Sequence, residues 1–224
     1  MSRMSRLICI DLDETLVDRD AVLRQWALET TRAEGRPELA EWLIAYDRHE
    51  GRVRDRTSFL TGVASKFGWD APIQQLLSEW PRTFGARYRL DRHAAEALRR
   101  AKLHGFRVAV VSNGDGPRQR AKINAMRLED YVDACVVSGE VGVRKPDRRI
   151  FEIAAEHAGA DLNGSVWVIG DDPGADIGGG LQIGAETIWV NRGRKHWPSD
   201  VAAPHATFDD PVTAINYVLA KADI

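Results

Sequence analysis

Two aspartates separated by one residue, Asp11 and Asp13, follow directly on the apolar run Leu7-Ile8-Cys9-Ile10. A short apolar run bounded by polar residues reads as a strand buried on both faces. In an open α/β sheet, ligands bind at the carboxyl ends of the strands. A buried carboxylate there is unfavourable, and a second one beside it adds repulsion. A cation or a strong hydrogen-bond network would offset both terms, so the first strand already suggests a metal-dependent site. The pattern recurs. Val166-Trp167-Val168-Ile169 ends in Gly170-Asp171-Asp172, with Asp176 shortly after, and Phe106 to Val111 ends in Ser112-Asn113-Gly114.

Parallel strands joined by helices would bring these three ends to one edge of one sheet. From about residue 91 the chain alternates as such a sheet requires. Helices are expected at Arg92 to His104, Pro117 to Met126, Asp147 to His157, Ala175 to Gln182 and near Pro211 to Ala220. Between them lie strands at Phe106 to Val111, Ala134 to Val137, Val166 to Ile169 and Glu186 to Val190. Residues from about 18 to 88 instead look helical throughout: Ala21 to Glu34, Pro37 to His49, Thr57 to Phe67 and Ala71 to Arg87, broken at Gly35-Arg36-Pro37, Gly51 and Gly68. The simplest organisation is an α/β, Rossmann-like core formed by residues 1–17 and 89–224, interrupted after its first strand by a helical cap at 18–88. A cap that leaves the core beside the aspartates is placed to exclude water and select substrate.

Composition narrows the functional classes. The 224 residues carry a net charge of −2, with no basic field to attract nucleic acid or an anionic membrane. No apolar stretch approaches the roughly 20 residues of a membrane span. The apolar run before Asp11 is too short for a signal peptide, so a cytoplasmic location is expected. Cys9 and Cys135 lack metal-ligand spacing and read as buried core residues. Monomer and homodimer both remain open.

In order along the chain, Asp11-Leu12-Asp13-Glu14-Thr15, Ser112-Asn113-Gly114, Lys145-Pro146 and Gly170-Asp171 through Asp176 resemble the motifs of the haloacid dehalogenase-like hydrolase superfamily. The resemblance covers nearly the whole chain, because the helical block stands where that family's type-one cap stands. Val137 to Pro146 and Thr187 to Asn191 are also similar to the family's small-metabolite phosphatases. The resemblance implies a sheet of order 5-4-1-2-3. It also implies a Mg²⁺-dependent phosphatase that hydrolyses a small phosphorylated metabolite through an aspartyl-phosphate. A nucleoside monophosphate, a sugar phosphate and phosphoglycolate are candidate substrates.

The residue chemistry agrees. Asp11 is the expected nucleophile. Asp13, on the same face of an extended segment, is the expected general acid and then base. By the resemblance, Asp13 also ligates the metal through its backbone carbonyl. Asp171 completes the expected set of metal ligands Asp11, Asp13 and Asp171, in keeping with the preference of Mg²⁺ for hard oxygens. Asp176 is expected behind them, bonding a metal-bound water or Lys145. Thr15 is expected to bond locally and shape the turn, and Asp172 to cap a helix near Gly174. Ser112 and the amides of Asn113 and Gly114 suit phosphoryl oxygens, and Lys145 would offset the gathered negative charge. In the helical block, Arg52, Arg54 and Arg56 form either a solvated face or a contact to an anionic substrate group. Trp26, Trp42, Trp69 and Trp80 are expected in its core. Three other readings stand beside the phosphatase. A phosphomutase shares all the motifs. A 2-haloacid dehalogenase needs neither Asp13 nor Asp171. A non-catalytic regulatory module would not need the motifs intact.

Overall fold

In a computed structural model of the chain, the structure describes residues 5–51, 56–193 and 196–222. The chain forms two units, Met1–Asp18 with Arg89–Ile224, and Arg19–Tyr88.

The first unit is built on strands β1 (Arg6–Ile10), β2 (Phe106–Ser112), β3 (Ala134–Val137), β4 (Ser165–Gly170), β5 (Glu186–Val190) and β6 (Ala206–Phe208). All pair in parallel, in the order β3-β2-β1-β4-β5-β6. The order differs from the expected one by β6, which adds an outer strand beside β5. Ala206-Thr207-Phe208 is too short to show a two-residue period, so only pairing reveals it.

Register decides where the functional side chains stand. Ile10 lies opposite Val110 on one side and Ile169 on the other. The three central strands therefore end level, and Asp11, Ser112 and Asp171 emerge at one edge. The Asp11 amide donates to the Ile169 carbonyl at 2.9 Å, which fixes the Asp11 backbone against β4.

Alternation sorts the core. Leu7, Cys9, Ala109, Val111, Val166 and Val168 pack on one face against the helix Arg148–Ala158, through Ile150 and Phe151. The cysteines are buried and free, and burial pushes both thiols up to about 12. Three helices of this unit begin on aspartate caps. Asp91 caps Arg92–Leu103, Asp115 caps Gly116–Ala125 and Asp147 caps Arg148–Ala158, each accepting backbone N–H bonds. Such caps are typically worth about 1 kcal/mol each. The helix expected over Ala175 to Gln182 is instead a π turn, Pro173–Gly178, followed by a short α-helix, Gly179–Gln182.

The second unit contains helices Arg19–Ala33, Ala40–Tyr46, Arg56–Phe67 and Ile73–Thr83. The single helix expected over Pro37 to His49 is broken into a 3₁₀ turn, an α-helix and a π turn, Asp47–Gly51. That π turn seats Asp47, fully buried, between two arginines. Arg19 Nη2 reaches both Asp47 oxygens at 2.9 and 2.7 Å, and Arg56 Nη1 reaches Oδ1 at 3.3 Å. The Arg56 guanidinium also lies over the Phe59 and Trp80 rings, at 4.7 and 5.0 Å from their centroids. Arg56 therefore does not stand on a solvated face: its side chain is largely buried and bonded inside the unit. Arg52 and Arg54 lie outside the described residues. Trp26 and Trp80 are buried and meet edge to face, while Trp42 and Trp69 flank Phe67. Among the described residues, no helix is long and apolar enough to cross a membrane.

Removing Asp47 would leave two guanidinium groups without their shared buried counter-charge. Asp47→Ala is expected to destabilise the second unit by about 3–5 kcal/mol, the scale for breaking a buried ion pair from one side. Urea unfolding followed by tryptophan fluorescence measures this, and a loss of under about 1 kcal/mol, typical of a surface pair, would contradict it.

Candidate active site

The carboxyl edge of the sheet gathers more acid than a protein interior tolerates unaided. Asp11, Asp171 and Asp176 each place a carboxylate oxygen within 4.8 Å of the others. Asp11 and Asp176 are almost entirely buried. Gly170 makes room for the last of these, since a Cβ there would lie 2.1 Å from Asp176 Cγ. The π turn carries Asp176 back over β4, and Asp172 holds the turn by accepting from the Gly174 and Ala175 amides. Asp172 is thus a cap, as its position suggested.

Lys145 is the internal cation of this cluster. Its Nζ donates to Asp11 Oδ1 at 2.7 Å, to Asp176 Oδ1 at 2.6 Å and to the Val111 carbonyl at 2.6 Å. Asn113 fixes it from behind, with its amide group accepting from the Lys145 N–H at 2.9 Å and donating to the Lys145 carbonyl at 3.0 Å. Burial works against the charge on Lys145, yet Asp11 and Asp176 together hold the ammonium above its ordinary range. One ammonium does not balance three carboxylates. Burial pushes Asp11 up to about 7 even though Lys145 pulls it down, with Asp176 and Asp13 adding to the rise. Asp176 is raised as well, again chiefly by burial. A cluster of hard oxygen donors with uncompensated charge fits a small divalent cation. Asp176 already accepts from Lys145 and from the Asp172 amide at 2.9 Å. Asp11 and Asp171, with the Asp13 carbonyl that the sequence resemblance implies, are the residues suited to hold the ion.

Asp13 is set apart from that cluster. Lys122 Nζ lies 2.7 and 2.5 Å from its two oxygens, and Gln119 Nε2 donates to Oδ2 at 2.9 Å. Gln119 also donates to Ser112 Oγ at 2.6 Å. The Gly114 amide, expected at a phosphoryl oxygen, donates to Ser138 Oγ at 3.0 Å. Thr15 departs from its expected local bond. Its hydroxyl is buried, and it has no hydrogen-bond partner among the described residues. The turn after β1 is held by backbone bonds instead, Glu14 N–H to Val17 O at 2.8 Å and Val17 N–H to Leu12 O at 3.0 Å. Arg192 secures it further, donating to the carbonyls of Glu14 at 2.8 Å and Thr15 at 2.6 Å. This anchors a turn in which Glu14 adopts φ +65°, a region unfavourable for a residue with a Cβ.

Gln119, Lys122 and Arg192 escaped the sequence reading, while Ser138 and Trp189 entered it only as members of the family-like stretches Val137 to Pro146 and Thr187 to Asn191. Trp189 donates its indole N–H to the Asp171 carbonyl at 2.9 Å. Gln119 and Lys122 left one trace, as long polar side chains on the helix face that also buries Ile123. Arg192 leaves no local signal, because its partners Glu14 and Thr15 lie far away in sequence.

A family model for haloacid dehalogenase-like hydrolases matches residues 6–184. The pyrimidine 5'-nucleotidase YjjG of Escherichia coli is 35% identical over 108 residues, 48% of each chain. The N-acylneuraminate-9-phosphatase of Rattus norvegicus is 38% identical over 214 residues, covering 84% of this chain and 83% of that one. The chain spans about half the length of several curated relatives it matches: 48% of YjjG, 42% of a (S)-2-haloacid dehalogenase from Burkholderia cepacia and 46% of a phosphoserine phosphatase from Thermus thermophilus. Among solved structures, the HAD-hydrolase YfnB from Bacillus subtilis superposes with a TM-score of 0.73 at 19% identity, covering 99% of this chain and 100% of that one.

The raised Asp11 carboxyl has a consequence for stability without metal. In the unfolded chain Asp11 loses its proton near 3.8, whereas in the fold it keeps it to about 7. Between those values the native state binds the extra proton, so stability falls as pH rises through the interval and then levels off. In excess chelator, Asp11→Asn should therefore gain on the wild type by on the order of 2 kcal/mol between pH 5 and pH 8. Urea unfolding at the two pH values measures the difference, and a constant offset would contradict the assignment.

Proposed function

Because the chain belongs to the haloacid dehalogenase-like hydrolase family, we propose that it is a Mg²⁺-dependent phosphatase of small phosphorylated metabolites acting through an aspartyl-phosphate on Asp11. The observation that carries this reading is that the two strand-end carboxylates have separate cations, Asp11 on Lys145 and Asp13 on Lys122. Carboxylates in different environments take different roles.

An Asp11 oxygen attacks phosphorus. The bond from phosphorus to the leaving oxygen breaks, its electron pair stays on that oxygen, and Asp13 supplies the proton. In the second half, Asp13 takes a proton from water as the water oxygen attacks phosphorus, and the bond to Asp11 breaks to restore the carboxylate. Lys145 holds Asp11 in place and offsets charge as the phosphoryl group arrives. Ser112 donates to a phosphoryl oxygen. A Mg²⁺ ion on Asp11, Asp171 and the Asp13 carbonyl would neutralise the charge that Lys145 leaves uncompensated.

The same observation bears on the alternatives. A halide leaves without a proton, so displacement at a haloacid has no use for the supported Asp13. A phosphomutase uses the same groups and differs only in the acceptor of the second step. The relatives' substrates support a small phosphorylated metabolite in general, and the second unit, reached directly after the Asp13 turn, is the part that selects among them.

A panel of phosphorylated metabolites assayed for phosphate release tests the reading. Chelation should abolish release and Mg²⁺ should restore it. Asp11→Asn should abolish turnover, and Asp13→Asn should slow it by about 10²–10⁴-fold. Full activity in chelator, or halide release from a 2-haloacid in place of phosphate release, would contradict it.

A further inference from the structure

Helix Gly116–Ala125 presents Gln119 and Lys122 one turn apart, on the face that also buries Ile123. Inward positions on such a helix ordinarily hold apolar side chains. Here two long polar ones are 3% and 7% exposed, and both end on Asp13. A buried ammonium and a buried amide are unfavourable without partners, so their placement requires a matching group, and that group is the second strand-one carboxylate.

Gln119 does more than contact Asp13. Its amide nitrogen donates to Asp13 Oδ2 and to Ser112 Oγ, at 2.9 and 2.6 Å. The amide nitrogen, which can only donate, is the end that faces both oxygens. Ser112 Oγ must then accept from Gln119, which leaves its own hydrogen free to donate elsewhere. A phosphoryl oxygen offers only acceptors, so this is the polarity Ser112 needs. Gly114 fits the same arrangement. A Cβ there would lie 2.8 Å from Gln119 Cγ, so the Asn-Gly turn is left without a side chain where the Gln119 stem crosses it.

We infer that Gln119 and Lys122 are positioning residues. Lys122 fixes the Asp13 carboxyl group for proton delivery to the leaving oxygen, and Gln119 couples that group to the Ser112 hydroxyl. This rests on the phosphatase reading of Asp13. As the bond from phosphorus to the leaving oxygen breaks, the electron pair remains on that oxygen and the Asp13 proton joins it. Neither Gln119 nor Lys122 touches the reacting atoms. The effect of Lys122 is therefore greatest where the leaving oxygen depends most on receiving a proton, whereas that of Gln119, acting through Ser112, is shared by all phosphate esters.

The test compares two esters on wild type, Lys122→Met, Lys122→Arg and Gln119→Met. One ester is p-nitrophenyl phosphate, whose leaving group departs with little help from a proton. The other is glycerol phosphate, whose alkoxide does not. Lys122→Met should lower kcat on the alkyl ester by about 100-fold, within the range for lost general acid catalysis, and on the aryl ester by less than about fivefold. Lys122→Arg should restore most of the alkyl activity. Gln119→Met should raise KM for both esters by about tenfold, the scale of one lost hydrogen bond. Thermal unfolding of each variant separates these effects from loss of fold, and Lys122→Gln is read in the same way should Lys122→Met not fold. Equal losses on the two esters, or Lys122→Arg no better than Lys122→Met, would overturn the inference and leave the phosphatase reading standing. A wild type that releases phosphate from neither these esters nor any phosphorylated metabolite would overturn both.

Discussion

The Lys145 ammonium lies where three strands end, bonded to Asp11, Asp176 and the Val111 carbonyl. Without it, the carboxyl edge of the sheet would bury like charges against one another, which a low-dielectric interior strongly penalises. The surroundings of Lys145 follow from this requirement. Asn113 grips both its amide and its carbonyl. Gly170 lacks a side chain because the Asp176 carboxylate lies against it, and the π turn after β4 puts that carboxylate within reach. The Ser112-Asn113-Gly114 turn, the lysine and the acidic turn form one cluster in which a single ammonium offsets part of the carboxylate charge, and the negative charge that remains suits a cation.

A second, smaller balance operates around Asp13. Lys122 supplies its counter-charge and Gln119 links it to Ser112. Keeping the two strand-one carboxylates on separate cations lets them differ in chemistry although they stand on one segment of chain. The second unit repeats the device for a different end, with Asp47 balancing Arg19 and Arg56 among aromatic rings. There the result is a packed interior.

Much of the fold was legible in the sequence because its signals are local. Apolar runs such as Val166 to Ile169 end abruptly, and aspartates such as Asp91 and Asp147 open helices. The level strand ends that gather Asp11, Ser112 and Asp171 follow from parallel pairing. What was not legible depends on contacts between residues far apart in the chain. Lys122 meets Asp13, Arg192 meets the carbonyls of Glu14 and Thr15, and Trp189 meets the Asp171 carbonyl. A lysine on a helix reads as solvated until the fold shows what it faces. Strand β6 is missed for a related reason, since three residues carry no period and its place is set by the edge of β5. Thr15 shows the opposite error, a residue suited to a local bond whose hydroxyl is instead buried without one.

The central claim is that Asp11, held by Lys145, forms a covalent bond to phosphorus. Rapid acid quenching during turnover of a phosphorylated substrate, followed by hydroxylamine treatment and peptide mass spectrometry, tests it directly. An acyl-phosphate at Asp11 would be converted to the hydroxamate, so the account predicts that modification on Asp11, dependent on substrate and absent in Asp11→Asn. Active turnover with no trapped adduct on Asp11, or an adduct on another residue, would contradict it.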